Sequence, residues 1–271
     1  MMIKEIFRSL LPRLASLPGE VSLYVKDLVT GESCAWQADL PLVAASVIKI
    51  PVLIEAFRQE RDGLLSMEEV FTIRPEQKMP SCGALNALHD GLQVTLRDLC
   101  VLMIILSDNT ATNILIDRLG IGAVNAALQG LGCQKTVLRR RLFDVEASRK
   151  GVENSITAGE IGMLLEKMYR GQCVSPQADA RMISVLKEQR LNGKMPFFLS
   201  GVPIAHKTGE DDGITHDVGI VYAEHPMILC FASEHTDVPF FERFIQDAAA
   251  AFCKPKEKEK NNSQRRIKIW G

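Results

Sequence analysis

Hydrophobic and polar positions follow different periods in different parts of the chain. The stretch "EVSLYVKDLVTGESCAWQAD" reads as two strands joined by a turn at Thr30-Gly31. From Ser46 to about Lys187 apolar residues recur at helical spacing, which predicts helices over 46–61, 96–107, 110–119, 121–130, 157–170 and 175–188. After Asn192 the pattern returns to strands, in "PIAHKTG", "HDVGIVYAE" and "MILCFASE", and a last helix is expected over about 240–252. A first helix is expected over about 3–17, broken or bent at Pro12.

Capping residues support several of these boundaries. Thr157 with Glu160 has the form of a capping box, Thr95 stands just before 96–107, and Ser175-Pro176 suits an N-cap followed by proline at the first helical position. Strands and terminal helices therefore bracket a helical middle. Short turns between the late strands point to an antiparallel sheet shared by both ends of the chain, an α+β arrangement. The expected division is an α/β lobe of residues 1–45 and 189–253, an all-helical lobe of 46–188, and a charged tail, 254–271, without apolar periodicity and expected to be disordered.

Composition narrows the function. With 46% hydrophobic and 24% charged residues the chain is an ordinary globular protein, and its net charge of −1 gives no field to draw it to nucleic acid or an anionic membrane. The longest apolar run, Leu99 to Leu106, is too short to span a bilayer. Seven scattered cysteines without a C-x-x-C spacing read as free thiols and fit a reducing compartment. The N-terminus lacks the apolar core and cleavage site of a signal peptide, so as written the chain is expected to be cytoplasmic; a signal removed upstream would make it periplasmic or secreted. Five histidines without clustered ligand spacing speak against a zinc enzyme.

The candidate chemistry starts at "LVAASVIKIPVLIEAF", where Ser46 and Lys49 stand three residues apart at the start of an apolar helix. About one S-x-x-K is expected by chance, and a second, Ser184 with Lys187, is present. Ser184 falls inside a predicted helix, where its hydroxyl bonds back to a carbonyl. Ser46 falls at a helix start, where free amide groups and the positive end of the helix dipole stabilise an oxyanion. Two tripeptides follow in order, Ser107-Asp108-Asn109 and Lys207-Thr208-Gly209.

This ordered trio resembles the serine β-lactamases of class A and the related penicillin-binding proteins, over roughly residues 18–252. The intervals, 61 residues from Ser46 to Ser107 and 100 from there to Lys207, suit the β-lactamase branch. The resemblance implies a five-stranded antiparallel sheet flanked by terminal helices, with an inserted all-helical lobe. It implies no cofactor and a small-molecule β-lactam or acyl-amide substrate. Ser46 would be the nucleophile, and Lys49 its base if burial and a second cation, Lys207, depress the lysine pKa. Ser107 would relay a proton to the departing nitrogen. Asn109, Lys207 and Thr208 would bind substrate, Gly209 would let the strand approach it, and the N–H groups of Ser46 and Glu210 would form the oxyanion hole.

The sequence departs from the class A pattern in the segment that should carry the deacylating base. "LRRRLFDVEASRKGVENSITAGE" has no Glu-x-x-Leu-Asn. Glu146 is the first candidate for that base and Asp144 the second; an ion pair of Glu146 with Arg139, Arg140, Arg141 or Arg149 is the competing reading. Glu210, Asp211 and Asp212 put negative charge beside the expected carboxylate site. No arginine follows on "THDVGIVY", where His216 could stand in, and His206 reads as a packed strand residue. The leading expectation is a β-lactam hydrolase acting through a Ser46 acyl-enzyme. A D-alanyl peptidase, esterase or amidase of the same fold is the first alternative, and a non-catalytic β-lactam-binding module the second.

Overall fold

The computed structural model describes residues 3–253; the charged 254–271 segment lies outside them. Helix α1 (Ile3–Ala15) leads into strands β1 (Glu20–Asp27) and β2 (Ser33–Trp36), then β3 (Leu42–Val43) and a 3-10 turn at Ala45–Ile48. The helical middle comprises α2 (Lys49–Arg61), an antiparallel pair of β4 (Val70–Thr72) and β5 (Gln93–Thr95) joined by a long loop, α3 (Leu96–Ile105), α4 (Asn109–Leu119) and α5 (Ile121–Leu131). It continues with α6 (Val145–Arg149), β6 (Ser155–Ile156), α7 (Ala158–Tyr169) and α8 (Pro176–Lys187). The chain closes with β7 (Ile204–Asp211), β8 (Ile214–Tyr222), β9 (Pro226–Glu234) and α9 (Val238–Cys253).

The sheet has the order β2-β1-β9-β8-β7, all antiparallel, so the two ends of the chain share it as expected. Its central strands are buried on both faces. Alternation along β9 sends Leu229 and Phe231 into a core with Phe241, Phe244 and Ile245 of α9, while Ile228, Cys230 and Ala232 join the larger core of the helical layer. The turn after β1 is fixed by Asp27, whose Oδ1 accepts from Val29 and Thr30 N–H, and by Gly31 at φ +76°, a conformation that suits a residue without Cβ.

Helix α2 is the axis of the helical layer. Every residue from Lys49 to Phe57 is buried, the pattern of a core helix rather than an amphipathic surface one. Three caps fall where expected: Thr95 closes a box with Asp98, Ser175 accepts from Ala178 N–H, and Thr157 accepts from Glu160 N–H. The Thr157 box stays half closed because the Glu160 carboxylate takes the N–H groups of Gln134, Lys135 and Thr136 instead.

Some boundaries differ from the expectation. Helix α1 runs through Pro12 without a break: Pro12 and Arg8 are both exposed in its last turns, so the carbonyl that loses its donor can face water. The predicted 46–61 helix starts at Lys49, its first three residues belonging to the 3-10 turn Ala45–Ile48. Strands of two or three residues and the five-residue α6 were too short to show a period. Among the described residues no single helix is long and apolar enough to cross a membrane.

Candidate active site

Ser46 lies in the 3-10 turn between sheet and helices, and the backbone before it is braced from several sides. Val43 N–H donates to Glu234 Oε2 (3.0 Å), His216 Nε2–H donates to Val43 O (2.9 Å), and Ala44 N–H donates to Asn154 O (2.8 Å). These contacts hold Ala45 at φ +40°, a conformation costing a non-glycine residue about 1–3 kcal/mol. Gly209 of β7 packs beneath: a Cβ there would stand 3.3 Å from Ser46 N and 2.9 Å from the His216 ring. The glycine lets β7 approach the serine turn.

Residues of the first two motifs converge on one amine. Lys49 Nζ, fully buried, is 2.9 Å from Ser46 Oγ, 2.9 Å from Ser107 Oγ, 2.8 Å from Ser107 O and 2.9 Å from Asn109 Oδ1. Burial, and after it the charge of Lys207, holds its pKa well below the usual lysine range. Lys207 Nζ, also fully buried, reaches Ser107 Oγ at 3.0 Å and donates to Thr208 O at 2.9 Å. Burial and the nearby Lys194 bring the Lys207 pKa down to about 7. Ser107 sits at φ +53° immediately before α4, and Asp108 caps that helix at Ala111 N–H. The other Asp108 oxygen accepts from Ala84 and Leu85 N–H, fastening the loop that carries Ser81 and Cys82 to the site.

A cleft of about 580 Å³ opens over Ser46, lined also by Asn109, Cys82, Leu142, Phe143, Asp144, Arg149 and Glu210. Its far wall, residues 138–142, is suspended on asparagines. Asn113 donates to Leu142 O and accepts from Leu142 N–H, both at 2.9 Å. Asn125 grips Leu138 in the same way, and Asn154 Oδ1 accepts from Arg139 and Arg140 N–H.

Ser46, Lys49, Ser107, Asn109, Lys207, Thr208, Gly209 and Glu210 are thus brought together. Glu146 is not. On α6 its side chain is 83% exposed and paired with Lys150 at 2.7 Å, so both its expected place in the cleft and the expected arginine partner are corrected. The short helix α6 turns it outward, while its N-cap, Asp144, lines the cleft with Oδ1 on Ala147 N–H. Arg140 is paired with Glu153, and Arg141 with Asp117.

His216 does not stand in for an arginine. It is fully buried, donates from Nε2 to Val43 O and accepts Ser233 N–H at Nδ1, and burial lowers its pKa to about 4. His206 is a packed strand residue whose ring nitrogens meet Asp217 and Asn192. Ser184 is exposed on α8, with Lys187 over the Tyr222 ring. Two residues near the site carried no recognised motif. Asn113 lies one helical turn beyond Asn109, a spacing that signals a shared face. Lys194 lies in a coil before β7 and gives no local signal. Among the described residues no group of three His, Cys, Asp or Glu could hold a metal ion.

This combination of fold and lysine-bonded serine defines a β-lactamase or penicillin-binding-protein type of enzyme. The model of the β-lactamase enzyme family matches residues 3–254, and the chain belongs to that family. A β-lactamase of Streptomyces lavendulae is 25% identical over 79% of this chain and 74% of its own. The β-lactamase of Sphaerobacter thermophilus DSM 20745 superposes with a TM-score of 0.84 at 28% identity, covering 93% of this chain and 97% of that one. The structure of PBP-A superposes with a TM-score of 0.83 at 26% identity over 92% and 95%; a variant of PBP-A is known as an acyl-enzyme complex with penicillin G.

Proposed function

We propose that the protein opens β-lactam rings by forming an acyl-enzyme at Ser46. The contacts of Lys49 Nζ carry this reading. Two of its partners, Ser107 O and Asn109 Oδ1, only accept, so each takes one N–H. A neutral amine has two hydrogens, which leaves its one lone pair to accept from the Ser46 hydroxyl, with Ser107 Oγ at the same 2.9 Å. Burial favours that neutral form.

Lys49 takes the Ser46 proton as Oγ attacks the lactam carbonyl. The new C–O bond forms, the C–N bond breaks, and the proton passes from Lys49 through Ser107 Oγ to the lactam nitrogen. The N–H groups of Ser46 and Glu210 hold the developing oxyanion. Asn109 binds a substrate amide, and Lys207 and Thr208 face its carboxylate.

Release of the acyl group is the slow half-reaction. Glu146 faces solvent, Glu153 is tied to Arg140 and Ser148, and the far wall of the cleft carries the apolar Leu142. The acyl-enzyme complex of the PBP-A variant with penicillin G supports the acylation step. A second reading, rapid hydrolysis, is favoured by Asp144, which borders the cleft with one oxygen engaged in capping and the other available to orient a water.

A fluorescent penicillin and a chromogenic cephalosporin separate these readings. The expected result is a lasting covalent label, lost in Ser46→Ala, with slow colour development. Rapid turnover abolished by Asp144→Asn would favour the second reading. A wild-type protein that takes no label would contradict both.

A further inference from the structure

The residue after Lys207-Thr208-Gly209 is a glutamate, and its carboxylate reaches an amine that belongs to none of the motifs. Glu210 Oε1 is 2.8 Å from Lys194 Nζ. Lys194 is 4% exposed, and its other neighbours are Gly209 O at 3.4 Å, His216 O at 3.3 Å and Glu242 at 3.7 Å. Glu210 is 59% exposed and lines the cleft beside Ser46. A buried ammonium requires a partner, and here a carboxylate from the cleft rim supplies it.

That end of the cleft offers an incoming anion little else. Lys207 is fully buried against Ser107 Oγ and Thr208 O, and with a pKa of about 7 it is only partly charged near neutrality. Asp211 adds a second negative charge to the same rim. The arginines that line the cleft, Arg140 and Arg149, stand in the segment around α6 rather than on β7, and Arg140 is already paired with Glu153.

We propose that Glu210 is a built-in occupant of the carboxylate-binding end of the cleft, and that the enzyme's own substrate is an ester or amide with no carboxylate beside the scissile bond. The inference rests on the reading of Ser46 as nucleophile. Ser46 Oγ bonds to the acyl carbon, the C–O or C–N bond breaks, and the Ser46 proton travels through Lys49 and Ser107 to the leaving atom. A neutral or cationic leaving group then faces Glu210 and Asp211 without repulsion. A carboxylate there meets two like charges and a cation already taken.

The test compares benzylpenicillin with its neutral methyl ester. Second-order rate constants for labelling are measured by intact-protein mass spectrometry on the full chain, on Glu210→Gln and on Glu210→Ala. The acid-to-ester ratio, taken on one protein, cancels any general loss of reactivity. The wild-type ratio should be near or below one. Both variants should raise it about tenfold, the size expected from removing one nearby like charge in a partly solvated cleft, and added salt should shrink the gain. A wild-type ratio well above one overturns the substrate class, and a ratio that moves less than threefold in both variants overturns the role of Glu210. If neither compound labels any of the three proteins, the nucleophile assignment itself falls, a distinguishable failure.

Discussion

Replacing Asn113 with alanine removes a clamp from the cleft wall. Asn113 is 2% exposed and makes two 2.9 Å bonds to the Leu142 backbone, one donated and one accepted. The substitution strands a peptide N–H and a C=O, each costing about 1–3 kcal/mol if buried. Leu142 is only half buried and borders the cleft, so water recovers part of the loss, leaving about 2 kcal/mol. For a domain of this size that corresponds to a fall in Tm of about 4–8 °C, measurable by calorimetry. Asn125→Ala provides the control. It breaks the same pair of bonds, at 2.7 and 2.9 Å, to a Leu138 that is fully buried, where water cannot compensate. Asn125→Ala should therefore be the more destabilising of the two, while Asn113→Ala still takes up penicillin at Ser46. A Tm for Asn113→Ala within about 1 °C of wild type, well under the expected shift, or the reverse order of the two variants, would refute the reasoning.

Three further outcomes are expected. Lys49→Met should keep the fold and slow penicillin labelling by about 10²–10⁴, the usual worth of a general base; a rate within tenfold of wild type would remove Lys49 from that role. Lys207 has its pKa lowered to about 7, so it is charged below that pH and neutral above it. The acid-to-ester labelling ratio should consequently fall as pH rises through about 7, and a flat profile in a pH titration would mean that Lys207 does not bind the carboxylate. Leu142→Glu sets a carboxylate on the cleft wall that faces Ser46, where it can orient a water; the adduct half-life should shorten at least about tenfold, and an unchanged half-life by mass spectrometry would show that this wall does not limit release.

The sequence made the larger elements legible because their periods are long. Segments such as 121–130 and 157–170 repeat their apolar face over several turns, and the structure has helices at Ile121–Leu131 and Ala158–Tyr169. Ser46 and Ser107 were legible because each stands at the end of a regular element, and Lys207 because it lies within a strand, Ile204–Asp211, with fixed neighbours. Glu146 was misplaced because residues 138–155 have no period: asparagine side chains set the path of residues 138–142, and a five-residue helix then turns Glu146 outward. Lys194 was invisible for a different reason. Its burial depends on β7, β8 and α9 closing around a coil residue, a tertiary fact with no local trace.

Intact-protein mass spectrometry after a short penicillin pulse, followed by peptide mapping, tests the central claim most directly. The account predicts a mass increase of one penicillin, confined to the peptide containing Ser46, absent from Ser46→Ala and fading slowly. Equal labelling of Ser46→Ala, or an adduct on any other residue, would contradict it.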